Sequence, residues 1–168
     1  MIIDDPVHVS ERELRGRLDR VRAEMAVKNI RTLAVYDSAQ HDMTRMDPLF
    51  YLTDYYAVGP CWLLVPLEGR PTLFVTPAWD APRARGLVAY ADVVLADANG
   101  LMRVVGNAVA HAAGPVALSG RDALSVRAAE SFGDLASLQD ENDIIPLVAA
   151  VKSAAEIARI ARAAEMAD

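Results

Sequence analysis

Two periods of apolar residues run through this chain, and the change from one to the other marks its elements. Leu14, Leu18, Val21 and Met25 recur at helical spacing, with Arg and Glu residues between them. Ser10 and Glu13 form an S-x-x-E capping box ahead of that stripe, so a helix is predicted from Ser10 to about Asn29. Thr32 to Tyr36, T-L-A-V-Y, is a short apolar run of strand length. The polar stretch from Asp37 to Pro48 reads as a loop, and Phe50 to Thr53 as extended chain. Cys61 to Val65 and Pro71 to Val75 are apolar runs on either side of P-L-E-G-R, the pattern of an antiparallel hairpin.

Beyond the hairpin, helices and strands alternate. A short helix is predicted over Ala78 to Arg85, limited by Pro82. A strand over Asp92 to Leu95 follows, then a helix from Leu101 to Ala113 ended by Gly114-Pro115. Val116 to Leu118 is a strand, Ala123 to Phe132 a helix, Leu135 to Leu138 a strand, and Asn142 to Pro146 a connector. A hairpin joined to such alternation predicts an α/β fold in a single domain, with a mixed sheet and helices packed on its faces.

The last segment differs. From Val151 the chain reads V-K-S-A-A-E-I-A-R-I-A-R-A-A-E-M-A-D. Ser153 and Glu156 make a second capping box. Ala154, Ile157, Ile160 or Ala161, and Ala164 share one face, and no Gly, Asn or Pro stop signal follows. The expectation is a domain over residues 1–150 and, from 151 to 168, the start of a linker helix whose apolar stripe lacks part of its burial partner.

Composition narrows the function classes. The 168 residues are 53% hydrophobic and 24% charged, as in a globular protein, and the formal net charge is -6. That charge disfavours binding to a nucleic-acid backbone. Cys61 is the single cysteine, so no disulfide within the chain is possible, and a buried core thiol is the simplest reading. No apolar run has the length of a membrane span, and the acidic N-terminus lacks a signal-peptide pattern; a cytoplasmic location is expected.

The search for chemistry returns little. No G-x-S-x-G elbow, Walker loop or G-x-G-x-x-G follows a strand. His41, Asp42 and Asp47 are the only His-plus-carboxylate grouping, but one His and two Asp in a loop fall short of a zinc pattern. The stretch from Phe50 to Trp62 is less bland, with Phe50, Tyr51, Tyr55, Tyr56 and Trp62 beside His41 and Arg45. Core packing is expected for Trp62 and Phe50; for Tyr55 and Tyr56 the core and a ligand-facing surface are both open.

Taken in order, these pieces resemble a known family. The N-terminal helix, T-L-A-V-Y, the element Tyr51-Leu52-Thr53-Asp54-Tyr55, the hairpin around P-L-E-G-R-P and V-K-S-A-A-E-I-A-R-I-A-R-A-A follow one another. This order resembles the N-terminal domain of the creatinase/prolidase/aminopeptidase P ("pita-bread") metallohydrolases. Lys152, Ser153, Glu156, Ile157, Ile160 and Ala163 supply the family's K-S-x-x-E-I-x-x-[IM]-x-x-A segment nearly complete. Asp54 stands where the family usually has Gly, Pro48 where an Asn often precedes the Y-L-T-G element, and Ala149 where an Arg commonly precedes the V-K-S step.

The resemblance implies a six-stranded mixed sheet flanked by helices, of the ribonuclease-H-like kind. It also implies that this chain alone is inactive. The family's catalytic site holds two divalent metal ions (Mn, Co or Zn) on Asp, Asp, His, Glu and Glu of a C-terminal domain. By this likeness the chain is the cap and dimerisation unit of an Xaa-Pro dipeptidase or aminopeptidase P-like metallopeptidase. A creatinase-like C–N hydrolase and a stand-alone binding or dimerisation module are the alternatives. The partners implied are the C-terminal catalytic domain, a second copy in a homodimer, and a small peptide substrate, with neither nucleic acid nor membrane. His41, Arg45, Tyr55 and Tyr56 are the candidate substrate-bordering residues, since a guanidinium can pair with a carboxylate and Tyr rings can wall a small pocket.

Overall fold

A computed structural model describes residues 8–40, 46–132 and 135–167. Helix α1 spans Glu11–Val27 and begins where the capping box places it, with Ser10 Oγ accepting from the Glu13 amide. Five strands follow in the central part of the chain: β1 Thr32–Asp37, β2 Cys61–Pro66, β3 Thr72–Val75, β4 Asp92–Leu95 and β5 Val116–Ser119. With β6, Gln139–Asp140, they form one six-stranded sheet in the order β4-β3-β2-β1-β5-β6. The hairpin pairs β2 with β3 antiparallel, β1 runs antiparallel to β2, and the three remaining pairings are parallel, so the sheet is mixed.

The sheet is buried on both faces, and the period of two shows directly. Leu33 and Val35 of β1, Cys61, Leu63 and Val65 of β2, and Leu73 and Val75 of β3 point to one core. Leu14, Leu18, Val21 and Met25 of α1 pack into it, together with helices α2 (Pro48–Thr53), α3 (Ala81–Leu87) and α6 (Ile144–Ala150). Ala34, Tyr36, Trp62, Leu64 and Phe74 point the other way. They meet α4 (Leu101–Ala110) and Phe132 of α5 (Val126–Phe132). Trp62 is fully buried there, its ring stacked on Phe132 and tilted against Tyr36. Helices α4 and α5 approach so closely that a Cβ at Gly106 would lie 2.3 Å from the Phe132 carbonyl oxygen.

Several expected elements change type or length. Phe50 to Thr53 is helical, not extended: Asp47 Oδ1 caps the Phe50 amide at 2.8 Å, and Pro48 occupies the first turn, where its missing N–H costs nothing. Pro82 likewise starts α3 and does not limit it. The predicted Leu135–Leu138 strand is a 3-10 turn over Leu135–Ser137, and the ladder forms at Gln139–Asp140. The expected connector from Asn142 to Pro146 already contains the start of α6 at Ile144, and Glu141 Oε1 accepts from the Asp143 and Ile144 amides. Helix α4 ends at Ala110, ahead of Gly114-Pro115. The helix predicted from Ala123 begins at Val126, after a 3-10 turn over Arg121–Ala123.

The final helix, α7, spans Ala154–Ala167. Both halves of its capping box form: the Glu156 amide donates to Ser153 Oγ at 3.1 Å, and the Ser153 amide donates to Glu156 Oε2 at 2.8 Å. None of its fourteen residues is buried. Ile157 and Ile160 are 58% and 56% exposed. No helix among the described residues is long and apolar enough to cross a membrane.

Candidate functional site

The connection from β1 to β2 carries the aromatic segment, and the structure divides that segment in two. Helix α2 ends at Asp54, which adopts the left-handed conformation (φ 55°). That conformation explains why Gly serves at this position in the family that the sequence resembles. Here an Asp fills it and gains a second role. Its Oδ2 accepts the Val9 amide at 2.9 Å and lies 3.0 Å from His8 Nδ1, tying the segment ahead of α1 to the end of α2.

Tyr55, the next residue, turns inward and is fully buried. Its hydroxyl donates to Asp80 Oδ2 at 2.5 Å. Arg83 donates to both Asp80 oxygens, from Nε at 2.8 Å and Nη2 at 2.5 Å, and its guanidinium lies 4.6 Å from the centre of the Tyr55 ring. Nη2 also donates to the Tyr56 carbonyl at 2.7 Å. The Arg83 bonds hold the Asp80 carboxyl below its ordinary range against the opposing effect of burial. Burial, then the negative Asp80, pushes the Tyr55 phenol well above its ordinary value, so it stays a neutral donor. The cluster is satisfied internally, and it fixes the backbone of Tyr56 against the turn that precedes α3.

Tyr56 turns outward and is 51% exposed. Its ring meets Phe50 edge-to-face, with centroids 6.1 Å apart. Phe50, expected in the core, is 38% exposed, because the short α2 buries Leu49, Tyr51, Leu52 and Thr53 on its other sides. Trp79, one residue before Asp80, is 72% exposed; no sequence signal singled it out, since a lone Trp beside a turn carries no period. Asp80 and Arg83 were equally silent, although their i,i+3 spacing in A-W-D-A-P-R fits a paired turn.

Of the four candidate substrate-bordering residues, Tyr56 lies on the surface and Tyr55 in the core. His41 and Arg45 lie outside the described residues, as does Asp42. Asp47 caps α2. Among the described residues no three His, Cys, Asp or Glu side chains gather to hold a metal ion. Cys61 is buried, and burial pushes its thiol well above the ordinary value, which leaves it a core thiol and not a nucleophile.

No family model matches the chain, and no curated protein matches it at a significant level. Solved structures do. A prolidase from Pyrococcus horikoshii OT3 superposes with a TM-score of 0.67 at 17% identity, over 90% of this chain and 40% of the prolidase. An Xaa-Pro dipeptidase from Bacillus anthracis gives 0.65 at 12% identity, over 86% of this chain and 38% of that one. The creatinase/prolidase N-terminal domain of an X-Pro dipeptidase from Streptococcus pyogenes gives 0.57 at 19% identity, over 81% of this chain and 98% of that domain. The chain has the creatinase/prolidase N-terminal domain fold. It spans about 40% of the length of the first two structures and nearly the whole of the third.

Proposed function

We propose that this chain is the non-catalytic N-terminal domain of a metal-dependent hydrolase acting on small Xaa-Pro peptides. Residues 1–150 form the domain, and residues 151–168 begin the helix that leads to a C-terminal catalytic body, which carries the divalent metal ions. The observation that supports this reading best is the sheet order together with the match to almost all of an isolated creatinase/prolidase N-terminal domain. The exposed stripe through Ile157 and Ile160 is consistent with a helix whose partner is that second body. In a homodimer of the whole protein, Tyr56 and its edge-to-face neighbour Phe50 border substrate, with His41 and Arg45 on the same connection.

The test is to read the coding sequence beyond Asp168 and assay the whole protein on Xaa-Pro dipeptides with Mn2+ added. The expected result is an Asp, Asp, His, Glu, Glu set in a second domain, with hydrolysis by the whole protein and none by residues 1–168. A whole protein without that set removes the proposal.

A further inference from the structure

The capping box at Ser153 and Glu156 is built into the domain as well as into its own helix. Glu156 uses Oε2 for the Ser153 amide and turns Oε1 toward Arg17 of α1, 3.2 Å from Nη2. Ser153 Oγ, which accepts the Glu156 amide, also donates to Glu13 Oε1 at 2.9 Å, across 140 residues of sequence. Glu13 in turn accepts from Arg17 Nε at 3.3 Å. Arg17 is 6% exposed, its Nη1 donates to the Tyr51 carbonyl at 2.7 Å, and its guanidinium lies 4.4 Å from the centre of the Tyr51 ring. Glu13 and Glu156, the acidic members of the two capping-box sequences, therefore both meet Arg17, which is anchored in the domain; Glu13 also lies 4.0 Å from Arg20 Nη2.

The rest of α7 is held differently. Its residues are unburied, and an open groove of about 570 Å³ separates it from His8, Val9 and Ser10. A helix fastened at its first turn by charge-assisted bonds, with little apolar contact beyond, has a defined base and a compliant shaft.

We infer that Arg17, Glu13, Ser153 and Glu156 form a polar latch that sets the angle at which α7 leaves the domain, and that loosening the latch frees α7 without unfolding the sheet. The inference stands on this chain alone. If α7 also leads to a catalytic body, the latch fixes how that body sits on the domain.

Glu156→Gln separates the latch from the cap. Gln serves a capping box as Glu does, but it cannot pair with the Arg17 charge. Hydrogen exchange of the 168-residue chain is the readout, with Glu13→Gln as a second variant that leaves α7 itself untouched. The expected result for each is amide exchange about tenfold faster over residues 157–162, with α1 and the sheet unchanged. A spin-label pair at Asp19→Cys and Ala161→Cys should show a broader distance distribution in both variants. Unchanged α7 exchange and distances would overturn the latch. So would exchange that rises equally in α7, α1 and the sheet, because α7 would then belong to the domain's single cooperative unit. Neither readout depends on hydrolysis, so failure here is distinct from failure of the proposed function.

Discussion

Arg83 and Arg17 each sit on a tyrosine ring, and they do different work. Arg83 lies over Tyr55 and holds Asp80, three residues away on the same turn. Arg17 lies over Tyr51 and holds Glu13 on its own helix, but it also holds Glu156 on a helix near the other end of the sequence. The Arg83 cluster closes around a fully buried ring, so its charges serve the packing of the domain. The Arg17 cluster joins the domain to a helix with no buried residue, so its charges serve direction. The same chemistry becomes structural or orienting according to how much apolar surface lies behind it.

The largest effect that separates the two clusters is expected at Tyr55. Tyr55→Ala deletes a fully buried ring and takes a donor from Asp80, and should cost about 3–5 kcal/mol in urea unfolding of this chain. Tyr55→Phe keeps the ring and loses the hydrogen bond, and should cost about 1–2 kcal/mol. A cost below about 1 kcal/mol for the Ala variant would place Tyr55 at a surface and erase the contrast.

Acid should act next, on the same cluster. Asp80 titrates below its ordinary range in the folded protein, so it adds stability above the unfolded value near pH ~4. That contribution fades as the pH falls through the lower folded value. Glu141 behaves in the same sense: burial opposes its charge, but Lys28 and the Asp143 and Ile144 amides outweigh that and hold it low. Asp80→Asn should therefore flatten the loss of stability between about pH 4 and 2 relative to the parent chain, measured by thermal unfolding across pH. An unchanged slope would show that Asp80 is not ion-paired in solution.

The sequence carried one of these clusters far better than the other. Local rules located both capping boxes, the hairpin and the alternation on β1 to β3, because each depends on residues a few positions apart. The resemblance of K-S-x-x-E-I to a linker segment rested on the same local pattern. The sequence did not reveal that Ser153 and Glu13 meet, or that Tyr55 reaches Asp80 25 residues on, since only the folded sheet brings those segments together. Helices α2 and α6 are hard to see in the sequence for a different reason: at six and seven residues each is too short to show a helical period, and each carries a proline in its first turn, where the missing N–H costs nothing. Phe50, expected in the core, comes to the surface because α2 turns its other faces inward.

The smallest effect should come from the far side of the comparison, and it is informative because it is small. Ile157 and Ile160 keep more than half of their surface in this chain, so Ala at either position removes little buried area. Ala is also the better helix former by a few tenths of a kcal/mol. Ile157→Ala and Ile160→Ala should therefore shift unfolding of the dilute chain by no more than about 0.5 kcal/mol, and the sign should be neutral or stabilising. The equivalent change on α1, Val21→Ala, removes a fully buried side chain and should cost several times more. A cost above about 2 kcal/mol at Ile157 or Ile160 would mean that the stripe is covered in solution. If that cost grows with protein concentration, a second copy supplies the cover, and α7 is an interface before it is an arm.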